Sequence, residues 1–320
     1  EQVIAQPDIP LAMEINTRFT IAQLYFVQEK WQQGIDAMLV WFDLNEKPNA
    51  GAYVLLAQGY YQVKRYDLAL DNVETAISMH ESEGKLPKEQ WYNLARFLYF
   101  DKEDFDSALN VLNTLIIYYP KKQYWVQASH LYGEKKEEET QLALMEAAYE
   151  QGFLDRSSEL VSMAYLYLNA EVPYYAGSVI EKGFEDELVD AKSKNYELGG
   201  SAWAQAREVE KSIPMMEKAG ARSDEGELYV RLGNVYLDGD QFTKAADSVR
   251  KGLKKGGVKR PDQARLVLGM AYFNLGEYNK ARKAFRDAGK DERSEKYARQ
   301  WIAYVTSEEE RQRELEKDLF

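Results

Sequence analysis

A run of twenty residues near the C-terminal end of the chain constrains the fold more than any other segment. The run LVLGMAYFNLGEYNKARKAF extends from Leu266 to Phe285. Its small and aromatic residues fall where two packed antiparallel helices need a close approach or a bulky contact, at Gly269, Tyr272, Gly276, Tyr278, Ala281 and Phe285. One helix pair of this kind cannot bury its apolar face alone, so we expect neighbouring copies at the same period.

The spacing within this run resembles that of the tetratricopeptide repeat, a helix-turn-helix repeat of about 34 residues. Alignment on the aromatic residue of the first helix places eight copies, at Tyr25, Tyr60, Tyr99, Tyr132, Tyr167, Trp203, Tyr236 and Tyr272. Nine positions later most copies have a small residue, whereas the fourth has Gln141. A bulky apolar residue follows four positions further on, which places both on one helix face. We therefore predict an all-α fold, a right-handed superhelical solenoid of about eight helix-turn-helix repeats with a C-terminal capping helix.

Two shorter segments flank the predicted array. Residues 1–12 contain two prolines and no helical period, which predicts an extended lead-in. The continuous array of about eight repeats is predicted over residues 13–292. Residues 293–320 are predicted to form a capping helix and a charged tail, because a solenoid needs a cover over its last apolar face. At Pro214, inside the second helix of the sixth copy, we expect a kink or a helix start delayed to Ser212.

Charge and composition exclude several kinds of partner and site. The net charge is -12 and the isoelectric point is near 5.0, which argues against nucleic acid as a partner, because phosphate binding needs a positive surface. The chain has no cysteine, so disulfides and thiolate metal sites are excluded. No stretch of about 18 apolar residues occurs, and we predict no transmembrane segment.

The sequence also lacks the patterns on which enzymes commonly depend. Its two histidines are His80 and His130, and it contains no HExxH, GxxxxGK[ST] or GxSxG motif. Carboxylates are abundant but scattered along helix faces, as solvating charges are. We predict no catalytic residue, no metal site and no cofactor, and therefore a protein that is not an enzyme.

One segment departs from the acidic composition. Between residues 241 and 290, thirteen Lys and Arg stand against four Asp and Glu. We define the basic patch as Lys251, Lys254, Lys255, Lys259, Arg260, Arg282, Lys283 and Arg286. Two interpretations remain open: a solvated outer face of two second helices, or a docking surface for an acidic partner or anionic lipid head groups, which would be a peripheral contact with a membrane.

The tetratricopeptide resemblance implies a binding surface, because the first helices of such repeats line the concave side of the solenoid. Carried onto the inward positions of this chain, it gives a predicted peptide-binding groove of Phe19, Gln23, Phe26, Gln58, Tyr61, Asn93, Phe97, Phe100, His130, Tyr165, Asn234, Met270 and Phe273. Aromatic walls bury apolar or proline side chains, and amides bond to a main chain, so we expect an extended peptide as the ligand. The lysine and asparagine clamp by which some family members hold a chaperone's terminal carboxylate is missing, so chaperone-tail binding is not expected.

Particular strings indicate a closer resemblance. These are QPDIPLAMEINTRFTIAQLYFVQE, YPKKQYWVQASHLYGE and QGFLDRSSELVSMAYL, which begin at Gln6, Tyr119 and Gln151. They resemble the tetratricopeptide proteins encoded beside the TonB-ExbB-ExbD energy-transduction genes of gammaproteobacteria. The resemblance implies a periplasmic location after removal of a signal peptide. It also implies an accessory role in TonB-dependent uptake of iron chelates or other nutrients.

Together these observations predict a periplasmic scaffold that holds an extended segment of a protein partner, with a TonB, ExbB or ExbD component as candidate. The chain begins at Glu1 without methionine, which is consistent with removal of a signal peptide, and the cytoplasm is the alternative location. Two other functions remain open. One is a chaperone or assembly factor for another envelope complex, and the other is a regulatory subunit that docks through the basic patch.

Overall fold

The computed structural model describes residues 9–318, which contain seventeen α-helices and no β-strand. The helices are Leu11–Val27 (α1), Trp31–Leu44 (α2), Ala50–Gln62 (α3), Tyr66–Ser82 (α4), Glu89–Asp101 (α5), Phe105–Tyr118 (α6), Lys122–Glu134 (α7), Glu138–Glu150 (α8), Ser157–Asn169 (α9), Pro173–Glu185 (α10), Ser193–Gln205 (α11), Val209–Arg222 (α12), Glu227–Asp238 (α13), Phe242–Lys255 (α14), Pro261–Asn274 (α15), Tyr278–Ala288 (α16) and Glu292–Asp318 (α17). The predicted all-α fold of successive helix pairs is confirmed.

The chain divides into two compact units, unit 1 over residues 1–148 and unit 2 over residues 149–320. In unit 1, α1 packs on α2, α3 on α4, and α5 on α6; in unit 2, α9 to α16 pack in the same paired manner. The odd-numbered helix of each pair is the predicted first helix of a repeat, and the even-numbered helix is the second. The single continuous array over residues 13–292 stays a prediction.

The spacing rule of the repeat describes the core of each pair. In unit 1 the small residues Gly34, Ala69 and Ala108 are buried, as are the bulky residues four positions later, such as Met38 and Leu112. A small residue lets the second helix approach the first, and the bulky residue then fills the space beside it.

The fourth pair departs from this rule at the position where its sequence does. A Cβ atom on Gly133 of α7 would lie 2.6 Å from the Gln141 amide on α8, so this side chain already fills the space between the helices. Accordingly, α7 and α8 approach each other less closely than the helices of the other pairs. The Ser129 hydroxyl nevertheless bridges the pair by donating to the Gln141 carbonyl at 3.1 Å.

The turn within each pair places one residue in the left-handed region. In the eighth pair this residue is Gly276, with φ of 71°. The equivalent residues of the other pairs carry side chains and have φ between 57° and 64°: Glu29, Lys64, Glu103, Lys136, Glu171, Arg207 and Asp240. Because a Cβ atom makes this conformation unfavourable, seven of the eight turns are held by their helices rather than by local preference.

Two predicted boundaries differ from the structure. Helix α1 begins at Leu11, so the extended lead-in predicted over residues 1–12 is wrong for its last two residues, and residues 1–8 lie outside the described part of the chain. Helix α12 begins at Val209, before Ser212, and continues through the exposed Pro214, so the delayed start is wrong. Proline has no N–H to donate to the Glu210 carbonyl, so α12 continues with one backbone hydrogen bond fewer there, and the expected kink stays a prediction.

The C-terminal segment forms one helix that contains both the predicted cap and the charged tail. On α17, Trp301 stacks on the buried Phe285 of α16 with ring centroids 5.2 Å apart, and Val305 is fully buried. The cap therefore covers the apolar face that the last repeat would otherwise expose. Among the described helices, none combines the length and the apolar character needed to cross a membrane.

Candidate functional site

A strip of aromatic side chains, one exposed and two partly buried, connects two consecutive repeats of unit 1. Tyr61 at the end of α3 meets Phe97 of α5 edge to face, with ring centroids 5.4 Å apart and an interplanar angle of 83°. The ring of Tyr66, the first residue of α4, also contacts Tyr61, with ring centroids 5.8 Å apart. Phe97 is 45% exposed although it has a neighbouring ring. We call Tyr61, Tyr66 and Phe97 the aromatic strip.

The helix register explains why these rings are accessible. Tyr60 is buried against the second helix, so the next residue, Tyr61, must point away from that contact. The exposed Gln58 lies one turn before Tyr61 on the same side of α3. The structure thus brings together three predicted groove residues, Gln58, Tyr61 and Phe97, and adds Tyr66, which was not among the predicted groove residues.

A polar network borders the aromatic strip on α5 and α7. The Asn93 amide donates to the Tyr124 hydroxyl at 2.8 Å, and that hydroxyl donates to Glu89. The Asn93 amide nitrogen therefore joins α5 to α7, while its amide oxygen has no hydrogen-bond partner and its role in peptide binding stays a prediction. Such a network positions α5 against α7 and fixes the face that carries Phe97.

The network contains a cation that the sequence interpretation did not include. Arg96 donates to the Gln127 amide oxygen and lies 5.3 Å from the centre of the Tyr124 ring. Burial lowers the pKa of the Arg96 guanidinium from its ordinary value, because the charged form is partly desolvated. The sequence could have indicated Arg96, because it lies three residues after Asn93 and four before Phe100 and therefore on the same helix face as these two predicted groove residues.

Phe26 does not belong to the groove. Its ring is only 7% exposed, and Cβ atoms built on Gly34 and Gly59 would each lie 2.6 Å from it. Two glycines therefore leave the space in which this ring packs, and Phe26 is a core residue. Phe19 is also half-buried, with its ring 4.9 Å from that of Trp41.

The remaining predicted groove residues of unit 1 differ in accessibility. Gln23 and His130 are exposed. Phe100 is half-buried against the core and lies 6.3 Å from the exposed ring of Phe105. These side chains flank the aromatic strip but make no ring contact with it among the described residues.

In unit 2 the predicted groove residues separate into three environments. Tyr165 is exposed. Asn234 and Met270 line one cavity of about 300 Å³ between α13 and α15, although the Asn234 amide donates to the Val230 carbonyl of its own helix. Phe273 packs against Trp301 and Tyr304 of α17, so the capping helix occupies the space predicted for a ligand.

The basic patch contains several cations that already have structural contacts. Arg260 binds Asp262 through two bonds of 3.0 and 2.6 Å, and Arg282 pairs with Glu309 of α17. Lys251 lies 4.1 Å above the Tyr229 ring. The other members are Lys254, Lys255, Lys259, Lys283 and Arg286, which are exposed. Lys255 donates to the Ser223 carbonyl at 2.6 Å, and Arg286 donates to the Arg282 carbonyl at 3.3 Å.

One member of this set sits at a buried carboxylate. Asp262 is 2% exposed, and it also accepts a hydrogen bond of 2.7 Å from the buried Ser294 hydroxyl of α17. Hydrogen bonds from the Arg260 guanidinium and, to a smaller extent, from the Ser294 hydroxyl keep the pKa of Asp262 well below its ordinary value. Burial alone would raise this pKa. Arg260 therefore helps to join the last repeat to its cap.

Metal chemistry has no candidate centre in the described residues, which contain no group of three or more His, Asp or Glu arranged to hold an ion. His80 packs against Trp91 with ring centroids 4.5 Å apart, as a structural histidine does. The described residues of this region instead present the exposed Phe97 ring and the exposed Gln58 amide beside partly buried tyrosines.

Comparison with known families gives two matches. The family described as ChAPs (Chs5p-Arf1p-binding proteins) matches residues 12–172, and the tetratricopeptide repeat matches residues 230–294. None of the curated proteins compared with this chain matches it.

Solved structures of other repeat proteins are similar at low sequence identity. MamA from Desulfovibrio magneticus RS-1 is 16% identical, covers 54% of this chain and 96% of its own, and has a TM-score of 0.45. A tetratricopeptide repeat protein from Parabacteroides merdae ATCC 43184 is 12% identical over 80% of this chain and 98% of its own, with a TM-score of 0.38. The TPR2AB domain of yeast Sti1, solved in complex with pHSP90, is 13% identical over 84% of this chain and 99% of its own, with a TM-score of 0.44.

The second match confirms that unit 2 contains a tetratricopeptide repeat, as its helix spacing predicts. The first match extends over just more than half of the sequence. The chain therefore belongs to the ChAPs family of Chs5p-Arf1p-binding proteins.

Proposed function

We propose that this protein is a non-enzymatic adaptor that binds an extended segment of a partner polypeptide across the aromatic strip of unit 1. The observation that carries the proposal is the edge-to-face contact between Tyr61 and Phe97, two partly exposed rings on consecutive repeats. An exposed phenylalanine ring gains free energy when a ligand covers it, at about 25 cal/mol per Å² of apolar area. Repeat arrays generally present such extended surfaces to other proteins.

The chemistry of the strip favours an extended, proline-containing segment. Flat aromatic rings bury proline and aliphatic side chains, and a polyproline conformation has little further entropy to lose on binding. Gln58, beside Tyr61, can both donate to and accept from a peptide main chain. Membership of a family named for binding Chs5p and Arf1p supports the adaptor role.

The proposed partner is basic as well as extended. Unit 1 contains twenty-two Asp and Glu against thirteen Lys and Arg, so a positively charged segment is attracted to it. The resemblance of three sequence strings to proteins encoded with TonB, ExbB and ExbD supports the periplasm as the location. It also supports the extended periplasmic segment of a TonB-type protein as the ligand.

Calorimetric titration of a TonB periplasmic fragment tests this proposal. We expect Phe97→Ala and Tyr61→Ala each to weaken binding about ten-fold or more, because each removes an aromatic anchor. Tyr118→Ala is the matched control, since Tyr118 is an exposed aromatic residue of unit 1 on the second helix α6. Unchanged affinity in both strip variants would exclude the strip as the binding site.

A wild-type protein that does not bind the fragment would exclude TonB as the partner. Cross-linking in intact cells then identifies which envelope complex is recovered. Recovery of an assembly machine would favour the chaperone function over the uptake accessory.

A further inference from the structure

The second helices of the two units carry opposite charge. In unit 1, α2, α4 and α6 contain seven Asp and Glu and no Lys or Arg. In unit 2, α12, α14 and α16 contain twelve Lys and Arg against four Asp and Glu. We call the exposed sides of these two sets of helices the acidic face and the basic face. Both faces lie on second helices, whereas Tyr61 and Phe97 of the aromatic strip lie on first helices.

The acidic face also exposes apolar side chains. Leu39 of α2, Leu68 of α4 and Ile117 of α6 are exposed, and Ile117 reaches 69%. A partner that covered these side chains would remove their apolar area from water, beside carboxylates that can bind its cations.

The basic face has the complementary composition. Lys254 and Lys283 are exposed on α14 and α16, and a lysine presents a long apolar stem below its ammonium group. Such stems can cover Leu39 and Leu68 while the ammonium groups reach the neighbouring carboxylates, Asp43 and Asp71, which are also exposed. The tyrosine ring beneath Lys251 restrains that side chain before any partner arrives.

We propose that the basic face of unit 2 binds the acidic face of unit 1 in a second copy of this chain. Each copy carries both faces, so the chain itself supplies the partner that fits each of them. The net charge of -12 makes two copies repel at long range, and association therefore requires this local match of opposite charges. The proposal is separate from peptide binding, since none of the residues that it uses belongs to the aromatic strip.

Sedimentation velocity over a range of protein concentrations tests the proposal. We expect the wild type to form a concentration-dependent oligomer that dissociates as the salt concentration rises from about 0.05 M to about 0.5 M, because charge attraction is screened. The double variant Lys254→Glu, Lys283→Glu alters the basic face, and Asp43→Lys, Asp71→Lys alters the acidic face. Each is expected to weaken self-association about ten-fold or more.

A mixture of the two double variants provides the decisive measurement. Each variant carries one altered and one unaltered face, so its self-association is weakened. In the mixture the unaltered acidic face of one variant can bind the unaltered basic face of the other, and a complex is expected to return. Reversal of Lys194 and Lys296, exposed cations of unit 2 outside the basic face, is the matched control and should leave association unchanged. Circular dichroism melting confirms that every variant is folded.

Several results would overturn the proposal. One is a wild type that stays monomeric at every concentration, and another is a mixture of the charge variants that does not associate. A salt-dependent change in shape without a change in mass would show that the faces act within one chain. Binding of the monomer to vesicles containing anionic lipid, lost in the Lys254→Glu, Lys283→Glu variant, would assign the basic face to a membrane instead.

Discussion

The buried carboxylate of Asp262 is predicted to hold the capping helix on the last repeat. It accepts a bond from the buried Ser294 hydroxyl at 2.7 Å and two bonds from Arg260 at 3.0 and 2.6 Å. In Asp262→Ala the Ser294 hydroxyl loses its partner in a buried site, which costs about 1 to 3 kcal/mol. The partly exposed Arg260 recovers water, so its loss adds at most about 1 kcal/mol.

The expected loss of unfolding free energy for Asp262→Ala is thus about 1 to 4 kcal/mol. For a unit of this size each kcal/mol lowers the melting temperature by about 2 to 4 °C, which gives a total of roughly 2 to 16 °C. Differential scanning calorimetry measures this decrease in melting temperature directly. The control is Asp287→Ala, which breaks a surface pair with the exposed Lys290 and should cost less than about 0.5 kcal/mol.

The difference in stability between the wild type and Asp262→Ala is expected to depend on pH. The pKa of Asp262 is lowered in the folded protein, chiefly by Arg260, so its contribution to stability is complete above the ordinary aspartate pKa of about 3.9. This contribution to stability is lost as the pH falls below the ordinary pKa and through the lowered pKa of the folded protein. A melting temperature of Asp262→Ala within about 1 °C of the wild type at neutral pH would refute the reasoning.

Two further predictions concern the repeat core. Lys64→Gly removes a Cβ atom from a residue with φ of 60° and is expected to raise the unfolding free energy by about 1 kcal/mol, whereas Gly276→Ala should lower it by a similar amount. Urea denaturation measures both changes, and a change of the same sign in the two variants would contradict the account. Gly59→Ala places a Cβ atom 2.6 Å from the Phe26 ring, and we expect a loss of about 1 to 3 kcal/mol by overpacking. A wild-type urea midpoint for Gly59→Ala would show that Phe26 is not confined as described.

The helix pairs could be predicted from the sequence because their packing repeats at fixed spacing. The small residue and the bulky residue four positions later, such as Ala69 and Val73, meet the first helix in every pair that keeps the pattern. Even the exception was visible, since Gln141 occupies the position where the helices separate. The division into two compact units had no equivalent signal, because it depends on how closely neighbouring helices pack.

The candidate site was predictable only in part, because the role of a groove position depends on what faces it. Phe26 and Tyr61 both directly follow the aligned tyrosine of their first helices, yet glycines on two neighbouring helices bury Phe26 while Tyr61 stays partly exposed. Pairs between distant residues were equally hidden, as for Arg282 and Glu309, which lie 27 residues apart. Sequence periodicity gives the face of a helix, but not the side chains that cover it.

A photoreactive benzoylphenylalanine in place of Phe97 tests the central claim most directly. Irradiation of cells that carry this protein should link the aromatic strip to one partner polypeptide, and mass spectrometry should locate the link in an extended, proline-rich segment. The same group in place of Tyr118, on the second helix α6, should not give that product. Capture of the same partner segment equally from both positions, or of none from position 97, would contradict the proposal that the strip is the binding site.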